Sequence, residues 1–249
     1  MNNLFTQLSI EPLTVVLFIP AVTAAVLALL PSYWVAARLN VLATFVTLTA
    51  AVGLLFDRPP AREYLFIDDL NNAFIVLTTF VAFTTSVFSA SYIAHELEIG
   101  RLTPSHLRFY HAMYQTLMLP MNLGLVANNI GLMWVAVEFA TLTTVLMVEI
   151  YRTHEALEAA WKYFILGSVG IALALFGTIL VYMAARPVIG EGADAMVWTT
   201  LIAPVSRFSP VLLNVAFVFI VIGIFLFRIR ERFDSVDVSA LGDYRGERR

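Results

Sequence analysis

Residues 157–184 read LEAAWKYFILGSVGIALALFGTILVYMA, with one acid, Glu158, and one base, Lys162, both close to the start of the stretch. A helix rises 1.5 Å per residue and the hydrocarbon core of a bilayer is about 30 Å thick, so about 20 residues of this kind cross it. The stretch is long enough to span a membrane with turns to spare. Within it Gly167, Gly170, Ala174 and Gly177 recur at three- and four-residue spacing, a pattern that lets a second helix approach closely.

Working outward, apolar stretches of spanning length recur at 13–30, 34–56, 72–94, 109–127, 130–150 and 210–229. Together with 157–184 they predict an all-α integral membrane protein of about seven transmembrane helices. Composition agrees: the chain is 60% hydrophobic and 13% charged, against about 45–50% and about 25% in soluble domains, and its mean hydropathy is +0.83. Residues 1–230 are expected to form the transmembrane domain and 231–249 a polar tail. The first span follows MNNLFTQ, which lacks a basic segment, and is expected to be retained rather than cleaved. The chain contains no cysteine, which excludes cysteine-held iron–sulfur clusters and disulfides within it.

The formal net charge is -3, and nucleic acid is not an expected partner; the bilayer is. With seven spans, one side holds Arg38, Arg101, Arg108, Arg152 and the arginines after Phe227, while the other holds only Arg58, Arg62, Arg186 and Arg207. The bias predicts an N-terminus outside and a C-terminus in the cytoplasm, in the cell (inner) membrane. Pro59-Pro60 and Asp68-Asp69 mark a polar connection, Pro120 lies inside the fourth span, and Arg186 to Phe208 suits an interfacial loop or short surface helix.

Two ionisable residues lie within spans: Glu138, near the middle of the fifth, and Lys162, the only lysine, near the start of the sixth. Charges there are costly and generally face a bundle interior or a hydrated cavity, where they serve as proton relays. Counting residues from the shared end of the two spans puts the pair roughly 8–10 Å apart in depth, so direct contact is not expected and exchange needs water or a hydroxyl such as Thr141 or Thr144. A structural alternative stands beside it. Glu158 precedes Lys162 by four residues, the favoured order for a helical ion pair, and Glu155 lies one turn earlier. His95, His106, His111 and His154 fall at predicted membrane boundaries without ligand-like spacing, and no metal site is expected.

The run NNIGLMWVAVEFATLTTVLMVEIYRTHEALEAAWKYFILGSVGIALALFGT, Asn128 to Thr178, closely resembles the antiporter-like membrane subunits of respiratory complex I, Mrp cation/proton antiporters and energy-converting hydrogenases. Within that superfamily it is most similar to the F-type large membrane subunit of hydrogenase-4 and formate hydrogenlyase complexes, with weaker similarity continuing through SPVLLNVAFVF to Phe219. The resemblance implies that Glu138 and Lys162 are members of a polar axis for protons, and that the chain forms one half of an inverted-repeat fold. It also implies partner membrane subunits and peripheral redox subunits; iron–sulfur clusters, a nickel–iron site or flavin would belong to those partners, with no cofactor in this chain.

The chain departs from the family pattern where relatives carry a seventh-helix lysine: it has Ile220 to Arg232 instead, and Asn214 stands where close relatives often have Lys. Phe225 to Gly246 resembles the C-terminus of the small E-type membrane subunit, which predicts a fusion, truncation or rearrangement. Three functions are therefore open. The chain is a proton-translocating subunit of an NADH:quinone oxidoreductase-like or hydrogenase-like complex, half of a monovalent cation/proton antiporter, or a structural membrane subunit.

Overall fold

The computed structural model describes residues 11–30, 32–98, 104–148 and 154–226, with the side chains of all of these but 96–98, 104–108, 155, 156 and 159. The expected tail at 231–249 lies outside the described residues. The chain divides into two compact units, Met1–Asn128 and Asn129–Arg249. Among the described residues the structure is helical, with isolated bridges only at Leu65–Ala127 and Asn129–Val197.

The first unit contains α1 (Pro12–Leu29), α2 (Tyr33–Gly53), α3 (Asp69–Glu98) and α4 (Pro104–Val126). Pro12 and Pro104 open their helices, where the missing N–H costs nothing. The Asp68 side chain accepts the Asn71 N–H at 2.7 Å and starts α3. Pro120 sits inside α4, which continues through it. The connection from α2 to α3 is tied to the end of α4: Phe66 donates to the Val126 carbonyl and the Asn128 N–H to the Tyr64 carbonyl, both at 2.8 Å. Arg62 clamps Glu11 through both carboxylate oxygens, at 2.7 and 3.0 Å, and Arg58 pairs with Asp69.

Packing in this unit reverses the soluble pattern. Phe18, Phe80 and Phe88 point outward, while Asn40, Asn72, His111, Gln115 and Asn122 are fully buried. A large apolar exterior of this kind is stable in hydrocarbon and not in water. It also explains α4. Five helices, α1, α2, α3 and the two long helices of the second unit, are long and apolar enough to cross a membrane. The expected fourth span forms a helix of full length, but its polar residues keep it below that apolarity, and of these His111, Gln115 and Asn122 face protein.

The second unit contains α5 (Ile130–Val148), α6 (His154–Ile189), the short α7 (Trp198–Ile202) and the apolar α8 (Pro210–Leu226). Asn129 caps α5, its side-chain oxygen accepting the N–H groups of Gly131 and Leu132 at 2.9 and 3.1 Å. After α6 the chain turns through Gly190 and Gly192, both at positive φ (112° and 107°), which glycine adopts without strain. It then forms the short surface helix expected between Arg186 and Phe208, flanked by single 3₁₀ turns at Ala193–Met196 and Val205–Arg207. The small-residue face of α6 meets α8: a Cβ at Gly177 would lie 2.6 Å from Ile220 Cγ1, and one at Gly223 only 2.5 Å from the Gly170 carbonyl oxygen.

Candidate functional site

Glu138 occupies the ninth position of α5, half-buried. Its Oε2 is buried with no hydrogen-bond partner among the described residues. A carboxyl oxygen without a protein donor is a costly arrangement inside an apolar helix.

Lys162 lies on α6 and pairs with Glu158 at 2.7 Å, one turn away on the same helix, with both side chains well exposed (62% and 65%). The structure therefore brings together Lys162 and Glu158, and leaves Glu138 outside that pair. The Glu155 side chain lies outside the described residues. Thr141 is buried and Thr144 half-buried, and each hydroxyl donates to the carbonyl four residues back, Val137 at 3.0 Å and Ala140 at 2.8 Å. Their oxygens keep lone pairs that can accept from water or an ammonium group.

The register of α5 against α6 is set by Trp134, whose indole Nε1 donates to the Ile171 carbonyl at 3.0 Å. Consecutive helices run antiparallel, so four residues on from Trp134 matches four residues back from Ile171, and Glu138 stands roughly level with Gly167. Lys162 is five residues further along α6, roughly 7.5 Å in depth. Counted the same way, Lys162 is level with Thr143, between Thr141 and Thr144.

Several contributors are not evident in sequence. Trp134 reads as one more apolar residue, although indole is a donor that seeks an acceptor when buried. Asn129 reads as part of a break between spans, although Asn directly before an apolar run is a helix-capping signal. His111, expected at a membrane boundary, is 0% exposed inside the first unit, with its ring 5.8 Å from that of Tyr33 on α2. A cavity of about 530 Å³ in the second unit, bordered by Trp134, Val137, Ile171, Ala174, Leu201 and Phe208, is almost wholly apolar and does not include Glu138. Among the described residues no three His, Asp or Glu side chains gather as metal ligands.

Comparison with known proteins bears on this arrangement. The chain is 54% identical over 208 residues to a hydrogenase-4 component F homolog of Methylacidiphilum infernorum (isolate V4), covering 84% of this chain and 44% of that protein. A chain of respiratory complex I from Thermus thermophilus, solved with bound aureothin, has the same fold over 84% of this chain and 42% of its own, with TM-score 0.64 and 24% identity. A chain of the membrane-bound sulfane sulfur reductase, an archaeal respiratory membrane complex, matches over 86% and 44%, with TM-score 0.66 and 18% identity. The chain thus spans less than half the length of the relatives it matches. Residues 127–227, which carry Glu138, Trp134 and Lys162, match the family described as NADH:quinone oxidoreductase/Mrp antiporter, transmembrane. This region therefore matches that family's transmembrane model, and the chain is similar over 84% of its length to one antiporter-like, multi-pass membrane protein.

Proposed function

We propose that this chain is a proton-translocating, antiporter-like membrane subunit of a multisubunit hydrogenase-like or NADH:quinone oxidoreductase-like complex. The observation that carries it is Glu138: a carboxyl oxygen buried and unpartnered within an apolar helix of the family-matched region. Glu138 receives and releases the proton, Thr141 and Thr144 hold the intervening water between its level and that of Lys162, and Lys162 takes the proton on. Glu158, and Glu155 one turn earlier, set the charge around Lys162. The 54% identity to a hydrogenase-4 component F homolog favours partner membrane and peripheral redox subunits. Iron–sulfur clusters, a nickel–iron site or flavin would reside in those partners, since this chain has no cysteine to hold a cluster. The arginine distribution favours an N-terminus outside and a C-terminus in the cytoplasm.

The experiment is Glu138→Gln in the assembled complex, with electron transfer and proton uptake measured together in sealed vesicles. Loss of proton translocation with electron transfer retained is expected; full retention of both rules the role of Glu138 out. A second reading, a structural subunit, is favoured by the Lys162–Glu158 pair. Transport of a monovalent cation by the chain in liposomes without redox partners would instead identify half of an antiporter.

A further inference from the structure

The first unit carries a set of buried polar groups on helices that hold neither Glu138 nor Lys162. On α4, His111, Gln115 and Asn122 follow one another by four and seven residues, so they share one face along roughly 16 Å of helix, and all three are 0% exposed. Gln115 Nε2 donates to Asn40 Oδ1 on α2 at 2.8 Å, and the hydroxyls of Thr44 on α2 and Ser86 on α3 are hydrogen-bonded at 2.7 Å. These ties leave groups over. Gln115 Oε1, Asn122 Oδ1 and both ring nitrogens of His111 are buried without a hydrogen-bond partner among the described residues. Each such group is costly when nothing satisfies it, so several on one helix face point to a guest.

The lining defines that guest. A cavity of about 10 Å³ is enclosed by Thr44, Thr47, Thr79, Ala82, Gln115 and Met118, room for about one water molecule. Thr44, Thr47 and Thr79 each give the hydroxyl proton to a carbonyl of their own helix, at 2.8 to 2.9 Å. What they and Gln115 Oε1 offer the cavity is oxygen lone pairs. A guest must therefore be small and must donate hydrogen bonds, and with no carboxylate in the lining a bare cation finds no neutralising charge. We propose that α2, α3 and α4 enclose a binding site for internal water, centred on Gln115 and closed by Thr44, Thr47 and Thr79. The bound molecule donates to the orphaned Gln115 oxygen and to a threonine oxygen, and so satisfies the one orphaned residue of this face that lines the cavity.

The test is X-ray radiolysis of the complex in ¹⁸O-labelled water, read by mass spectrometry. Water held in the site generates hydroxyl radical beside Met118, which is buried but lines the cavity. Rapid ¹⁸O oxidation of Met118 is expected in the native protein, falling several-fold in Gln115→Leu and in Thr79→Val while oxidation of Met196 stays unchanged. An unlabelled native Met118, or labelling equal to native in a folded variant, overturns the site. Thr79→Val removes one acceptor with little change of shape and decides the question if Gln115→Leu fails to fold.

Discussion

The indole of Trp134 and the carbonyl of Ile171, joined at 3.0 Å, lock α5 against α6 at the point from which the depths of Glu138 and Lys162 are counted. Both helices present mostly smooth apolar surfaces, and between such surfaces in lipid no hydrophobic force selects one register over another. A directional bond does. Trp134→Phe keeps the ring and removes the donor; it is expected to lower thermal stability by about 0.5–1.5 kcal/mol. Proton translocation should fall more than stability, because a helix shift of one residue displaces Glu138 by about 1.5 Å. Melting curves of the purified complex alongside vesicle proton uptake measure both.

The approach of α8 to α6 supplies a second prediction. At Gly223 an added Cβ would lie 2.5 Å from the Gly170 carbonyl oxygen and 3.0 Å from the Ala174 nitrogen. Both neighbours are backbone and cannot swing aside. Gly223→Ala is expected to destabilise the second unit by about 1–3 kcal/mol, the range for overpacking a close contact. Gly53→Ala, whose Cβ would meet Pro12 no closer than 3.8 Å, should leave the melting temperature within error in the same assay.

That small-residue face was legible in the sequence because three- and four-residue spacing maps directly onto one side of a helix, and the partner need only be another helix. The long helices were legible for a similar reason: apolar length is a one-dimensional property. Glu138 was visible as a charge in an apolar run. What could not be read is anything decided by which face meets which neighbour. The full enclosure of His111 is of this kind, because rotation of α4 about its axis is fixed by contact with α1, α2 and α3. The choice between partners for Lys162 divides the same way. The Glu158 pair follows from spacing within one helix, whereas the relation to Glu138 depends on a cross-helix register that one indole sets.

Asn129 provides a test confined to the backbone. Its side-chain oxygen accepts two N–H groups at the start of α5 that would otherwise be unsatisfied. Asn129→Ala is expected to cost about 0.5–2 kcal/mol, while Asn129→Asp, which keeps the acceptor and adds a charge favourable at a helix N-terminus, should restore most of it. Hydrogen exchange at Gly131 and Leu132 reads the change locally and should rise only in the alanine variant.

Lys162 separates the relay from the structural pair through its replacement by arginine. Guanidinium keeps the positive charge and can still bond Glu158, but it does not release its proton at any pH a protein experiences. If Lys162 exchanges protons, Lys162→Arg abolishes translocation down to the level of Glu138→Gln while electron transfer continues. If Lys162 serves only as the cation of the Glu158 pair, Lys162→Arg works as the native protein does and Lys162→Ala alone is impaired. Misfolding does not blur the comparison. Lys162 and Glu158 sit one turn apart on one helix, so melting curves of each variant beside its proton flux separate a lost relay from a lost fold. Glu158→Gln completes the cycle: it removes the carboxylate that holds the ammonium group and leaves the relay's titratable members in place, so translocation should persist at an altered rate rather than vanish.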